Sequence, residues 1–559
     1  MAILNKQELE QRLEKHKLEA EENDAKRRAT LHKLPYINLV SVTTPTNLTA
    51  LSIVSKEMAE KALLVPFAVF RNKLSIAVFD PDLEDTKNLL QELSKKYEVE
   101  VFVCSLSSLR HIWSYYEFIV MPGEEVSGEV ELSEQSLNSI ESKIKRISDI
   151  YDLLKNYQGP ITSKILEIIL AGALVTKSSD IHLEPGALSA VVRYRIDGVL
   201  HIIFDQFPPK RYASLVSRIK LLSNLKLNVH DQAQDGRFTI KLHDRDIEIR
   251  TSIIPSEYGE TIVMRLLDPN ALKVNLEELG WRSDDLEIVK KEISKPNGLI
   301  LNTGPTGSGK TTTLYAFLKY LYNPEIKIIT VEDPIEYHIP GITQTQVEEK
   351  AGYTFASGLR SILRQDPDIV LVGEIRDQET ADIAINASLT GHIVFSTLHT
   401  NDAVGAVPRL LDLGAKPQIL GPALSLVIAQ RLVRVLCPYC KQEVSLSDEQ
   451  KQKIQNFINN LPARVNKDSY RDFKVYQAKG CEKCAGIGYK GRTSIFELFV
   501  VNDVIEEAIY SNPNEIQLKK LAREQQIVWM QEDGVLKILK GITTWEEVES
   551  VTGPIEWLQ

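Results

Sequence analysis

Nowhere in this 559-residue sequence do roughly 18 or more apolar residues follow one another, so no bilayer-crossing helix is expected. The first ten residues already carry Lys6, Glu8 and Glu10, where a secretory signal needs an apolar core. Both shortages lead to the expectation of a cytoplasmic chain, reaching an inner membrane through partners if at all. Positive charge is short as well. A net charge of -10 argues against binding along a phosphate backbone, so no nucleic-acid partner is expected. Cysteine is scarce at five residues, yet four of them form two C-x-x-C pairs, which in a reducing compartment points to metal rather than disulfides. The fifth, Cys104, reads as a small buried apolar residue. Internal repeats are missing. What is present is an ordinary globular balance, 43% hydrophobic and 25% charged, with length for three or four domains.

The pattern along the chain divides it into seven stretches. Residues 1–33 are dense in charge with spaced leucines and read as an arm or a solvated helix. In 34–118 the strand-like runs VPFAVF, KLSIAVFD and VEVFVC alternate with helical ones, a small α/β domain. Residues 119–157 are acidic and serine-bearing and read as a linker. A sheet-on-helix domain is expected over 158–270 and a βαβ series with a parallel sheet over 271–430. A cysteine-bearing module, 431–500, and a helical region, 501–559, complete the chain. The expected class is α/β: a P-loop core on a parallel sheet, preceded by α+β domains and carrying a tetracysteine module.

The strand-like run GLILN leads directly into Gly304-Pro305-Thr306-Gly307-Ser308-Gly309-Lys310-Thr311-Thr312 and then into a helical pattern. Glycines let backbone N–H groups curl around an anion, and a helix N-terminus adds partial positive charge. Lys310 is then expected to reach the β and γ phosphates of ATP, and the Thr311 hydroxyl to bind Mg²⁺. Hydrolysis needs acids at neighbouring strand ends. The apolar run ending in Glu374 supplies one, suited to the Mg²⁺ shell. A second run ends in Glu332, Asp333 and Glu336, and either Glu332 or Glu336 is a candidate to orient or deprotonate water. A third strand is flanked by His392 and His399, either structural or sensing the γ-phosphate.

Together GPTGSGKTTTLYA, ITVEDPIEY, LRQDPDIVLVGEIRD and TGHIVFSTLHTNDA resemble the Walker A, Asp, Walker B and His boxes of the secretion ATPase superfamily. Upstream, LVSRIK and QDGRF resemble its preceding domain. This implies a RecA-like core, a homo-hexameric ring, nucleotide between two domains, and Arg218 and Arg237 helping to complete the site. It also implies an inner-membrane platform partner and an N-terminal region that engages a cytoplasmic ring or membrane-anchored adaptor. The chain departs from the family at NVHDQA, where Asp231 stands in place of a common arginine, which implies either a weaker nucleotide site or a neighbouring residue that has taken over the duty.

Cys437, Cys440, Cys481 and Cys484 leave 40 residues between the pairs. Two tight turns can complete a tetrahedron, so Zn²⁺ is the default metal, with an iron–sulfur cluster or an unused site as alternatives. The flanking QRLVRVLC and CAGIGYKGRTSIFE resemble the tetracysteine module of assembly and export motors. Assembly of type IV pili or type II secretion pseudopili is therefore the expected output. The rivals are a retraction motor, a nucleic-acid translocase on the same core, and a nucleotide-binding scaffold without turnover.

Overall fold

The computed structural model describes residues 6–40, 48–51, 53–70, 72–113, 116, 128–132, 134–157, 162–270 and 274–558. The first body is a three-stranded sheet in the order Leu64–Phe70, Lys73–Val78, Glu98–Val103, the first pair antiparallel and the second parallel. The helix Lys6–His32 lies against it through Ala25 and Ala29, small residues that allow close approach. Polar groups fix that approach. Arg28 donates to the Phe79 carbonyl and stacks 3.8 Å from the centre of its ring, while the Tyr36 hydroxyl donates to Glu22. The described C-terminal part of the helix is thus docked on the first body, and Cys104 is fully buried beside it.

A seven-stranded sheet forms the second body, antiparallel except at one edge. That edge corrects the sequence reading. Residues 119–157 were expected to be a linker, but Glu129–Glu131 pairs parallel with Gln234–Lys241. The helices Glu134–Glu141 and Ile147–Asn156 follow, and Leu132, Ile140, Ile150 and Leu154 enter the core beside Ile169 and Tyr194. Composition hides this because a few well-spaced apolar residues anchor a short amphipathic helix even in a charged segment.

The motor sheet runs Thr343–Gln346, Ile328–Glu332, Ile369–Val372, Ile393–Leu398, Gly298–Thr303, Leu424–Leu436, Tyr489–Val500, parallel until the last pair. Four inner strands are buried at every residue, as expected when helices cover both faces. The last two strands belong to this sheet, so the cysteine element is the insertion between them, 437–488, rather than a separate module. Its helix Asp448–Asn460 sends Ile454 and Ile458 into the motor core, and the C-terminal helices send Ile505, Val535 and Leu536 into the same cluster. A buried charge network ties these parts together: Arg282 donates to Asp533 at 2.8 Å, Arg464 of the insertion to Asp285 at 2.7 Å, and Lys537 to Asp533 at 2.5 Å.

Candidate active site and metal centre

The P-loop occupies the turn from Gly298–Thr303 into the helix Lys310–Leu321, at the C-terminal edge of the parallel sheet. Gly309 has φ +90°, and a Cβ there would stand 2.8 Å from the Gln430 amide nitrogen, so only glycine fits. The Lys310 ammonium donates to the carbonyls of Gly304 at 2.8 Å and Pro305 at 3.0 Å. Burial and the nearby Arg431 hold its pKa below the ordinary lysine value, outweighing the attraction of Glu374. The Ser308 hydroxyl is buried without a hydrogen-bond partner. Buried donors left open at a helix N-terminus are what an anion would satisfy.

A cleft of about 900 Å³ opens in front of the loop. Thr306, Gly307, Gly309, Lys310, Thr311 and Thr312 form one wall, and Glu332, Glu336, Glu374 and His399 stand along the strand ends. The three carboxylates are not alike. Glu332 is buried and accepts from the hydroxyls of Tyr315 and Thr330 and from the Gln344 amide at 3.1 Å. Glu336 is half-buried and accepts from Arg250 at 3.3 Å. Glu374 is paired with Arg376, and His399 Nε2 lies 3.4 Å from its other oxygen. His392 has a different place: its ring Nδ1 lies 3.0 Å from the Ala387 carbonyl at a helix end, a structural contact. The strand ends are also cross-linked, since Thr303 Oγ1 donates to the Leu398 carbonyl and Thr397 Oγ1 to that of Gly373.

The facing wall comes from the second body and is where the sequence-derived arginines differ from those observed. Arg195, Arg265, Ser179 and Asp180 line it, joined by Arg492 of the last motor strand. Arg218 lies on the helix Pro209–Leu222, outside the lining, and Arg237 is largely exposed, 3.9 Å from Glu248. Within one chain neither reaches the P-loop. Arg265 and Arg195 both pair with Asp180, at 3.0 and 3.5 Å. Sequence reasoning missed these because an arginine alternating along a strand looks like a solvated edge, and the sheet's register decides which face it joins. The NVHDQA segment is pinned by the buried Lys220, which pairs with Glu260 at 2.5 Å and donates to the Val229 carbonyl, leaving Asp231 exposed.

At the base of the insertion the four cysteine sulfurs lie within 4.8 Å of one another, with Cys437–Cys481, Cys440–Cys484 and Cys481–Cys484 separations of 3.9, 3.8 and 3.8 Å. A tetrahedron with Zn–S bonds of about 2.3 Å has edges of about 3.8 Å, so the donor set fits Zn²⁺. Backbone N–H groups of Cys481 and Gly488 donate to Cys484 Sγ at 3.1 and 3.2 Å. Burial opposes ionisation of Cys484, but these donors and the neighbouring thiols bring its pKa down to about 7.

The family model described as type II/IV secretion system protein matches residues 155–550, which takes in both walls of the cleft and the cysteines. The chain belongs to that family. A second model, the MshEN domain, matches 32–117. Among curated relatives, type II secretion system protein E of Dickeya dadantii is 46% identical over 73% of this chain and 79% of its own length. The type IV pilus assembly ATPase PilB of Myxococcus xanthus is 38% identical over 90% of this chain and 87% of its own. The Legionella pneumophila ATPase DotB shares the fold, with a TM-score of 0.51 at 20% identity over 69% of this chain and 95% of that one. This family member is a P-loop ATPase, a class of enzyme that uses nucleotide with Mg²⁺. Among the described residues no helix is long and apolar enough to cross a membrane.

Proposed function

We propose that this ATPase powers assembly of a type IV pilus or a type II secretion pseudopilus, working as a homo-hexamer in the cytoplasm against an inner-membrane platform protein. The similarity to both protein E and PilB supports the output, and the fit over 90% of the chain to a pilus assembly ATPase includes the N-terminal body. That body is the part suited to a cytoplasmic ring or membrane-anchored adaptor. The observation that carries the mechanism is the cleft itself, with a P-loop on one wall and cationic side chains of another body on the opposite wall.

In this mechanism Lys310 holds the β and γ phosphates and the Thr311 hydroxyl, with Glu374, serves the Mg²⁺ shell, the metal supplying charge neutralisation on the phosphates when bound. Glu336 is favoured over Glu332 as the group that orients or deprotonates water. Every oxygen of Glu332 already accepts hydrogen bonds from Tyr315, Thr330 or Gln344, whereas Glu336 keeps exposure to the cleft. His399, 3.4 Å from Glu374 at the strand ends, is placed to sense the γ-phosphate. Closure of the two bodies brings Arg265 and Arg195 off Asp180 and onto charge developing at the γ-phosphoryl group. Arg218 and Arg237, outside the cleft, are left to contacts between subunits. The four cysteines hold one Zn²⁺ that fixes the neck of the insertion.

The test is turnover against concentration, followed by mass photometry. Specific activity that rises with the hexamer fraction is expected; full activity in a monomeric sample would overturn the ring. Added DNA should leave turnover unchanged, and strong stimulation would favour the translocase reading.

A further inference from the structure

Beneath the phosphate loop lies a buried polar bridge that joins several separate sequence motifs. Gln430, on the strand Leu424–Leu436, is 1% exposed. Its Oε1 accepts from Asn302 Nδ2 and from Thr313 Oγ1, both at 2.9 Å, and its Nε2 donates to Ser494 Oγ at 2.9 Å. Asn302 belongs to the strand that enters the loop and Thr313 to the helix that leaves it. Ser494 lies on the outermost strand. One amide therefore ties both stems of the loop to a strand outside it. The same residue touches the loop from below: a Cβ on Gly304 would meet the Gln430 carbonyl oxygen at 2.6 Å, and one on Gly309 its amide nitrogen at 2.8 Å.

We infer that Gln430 is a positioning residue for nucleotide binding, an amide floor that sets the separation of the two stems and so the curvature of the N–H cradle. An amide suits this because it accepts twice and donates once without adding charge beneath a phosphate. A carboxylate there would place negative charge against the ligand, and an apolar side chain would leave Asn302, Thr313 and Ser494 without their partner, each a buried polar group left stranded. Seven residues further along the chain, just past the end of the same strand, stands Cys437, so the floor also connects the loop to the neck of the insertion.

The inference rests on the nucleotide reading of the loop, and Lys310→Ala separates the two. The full chain is titrated with Mg-ADP by calorimetry, with melting temperature measured in the absence of nucleotide. Gln430→Met is expected to weaken Mg-ADP about tenfold while kcat at saturating ATP changes less than about threefold, the pattern of lost ground-state binding. Gln430→Glu is the conservative rescue. Burial raises its pKa, so at pH 5.5 the neutral acid should bind Mg-ADP within about threefold of the unmodified chain, and at pH 8.5 the ionised form should bind far more weakly. If Gln430→Met does not fold, Ser494→Ala, which removes only the outer anchor, should shift Mg-ADP affinity in the same direction. Variants that bind Mg-ADP within about twofold of the unmodified chain at both pH values, while Lys310→Ala does not bind, would overturn the role of Gln430. Unchanged binding in Lys310→Ala would instead overturn the reading of the loop.

Discussion

Arg250 of the second body reaches across the cleft to Glu336 of the motor, donating to its carboxylate at 3.3 Å and to the neighbouring Ile335 carbonyl at 2.7 Å. Arg250 also donates to Glu248 of its own strand, at 3.1 Å. The contact joins the body that carries Arg195 and Arg265 to the loop that carries the candidate water-orienting carboxylate. Substituting Arg250 with Ala should therefore slow turnover by at least about tenfold, with nucleotide affinity changed only a few-fold. Equal losses in kcat and in affinity would show that the pair only stabilises the fold.

Lys310→Ala should abolish measurable hydrolysis, since it removes the cation that holds the β and γ phosphates. A phosphate-release assay with hydrolysis near that of the unmodified chain would refute the site assignment.

The three carboxylates should separate by kind of defect. Glu374→Gln and Glu336→Gln should retain bound ATP and slow turnover by a factor of about 100 or more, through loss of a metal-shell or water-orienting group. Glu332→Gln should act chiefly on stability, because it turns one of two buried acceptor oxygens into an amide NH₂ group that faces donors already in place. Nucleotide trapping and thermal melts on the same samples distinguish the two classes. A Glu332 variant with an unshifted melt and dead chemistry would reverse the assignment of Glu332 and Glu336.

Protein purified without added metal should carry about one Zn²⁺ per chain by elemental analysis. Chelation should loosen the insertion before the ATP site, because metal binding at the neck supplies local folding energy. Hydrogen exchange should rise first near Cys437 and Cys484. Four freely reactive thiols in metal-free protein of unchanged stability would exclude a structural zinc.

Glu497 predicts a pH effect. It is buried and accepts from the backbone N–H groups of Ala403 at 2.9 Å and Met530 at 3.3 Å. Burial dominates, and pushes its pKa up from 4.5 to about 7. A raised carboxyl pKa means the folded state holds the proton longer than the unfolded one, so this contribution is greatest at low pH and lost as pH rises from about 4.5 through about 7. The stability of the unmodified chain relative to Glu497→Gln should fall by roughly 3 kcal/mol across that window. A difference that stays flat with pH would show that Glu497 does not titrate there.

The candidate residues whose grouping follows from local geometry were legible in the sequence. A strand, a glycine turn and a helix in that order form a cradle wherever they occur, so Gly304 to Thr312 and Lys310 needed no tertiary information. The same holds for Cys437, Cys440, Cys481 and Cys484, whose pairwise spacing prescribes two knuckles. The apolar runs ending in Glu332 and Glu374 announced buried parallel strands with acids at their ends, because strands covered on both faces must be continuously apolar. What the sequence by itself could not decide is everything set by long-range register. Which arginines face the P-loop depends on the alternation and pairing of strands that are distant in the chain, so Arg195 and Arg265 line the cleft while Arg218 and Arg237 stand outside it. The difference between Glu332 and Glu336 rests on Tyr315, Gln344 and Arg250, drawn from three separate segments. Only tertiary packing placed Gln430 beneath the loop and folded residues 129–132 and 134–157 onto the second sheet, since burial and hydrogen-bond partners are properties of the assembled layers rather than of any local stretch of chain.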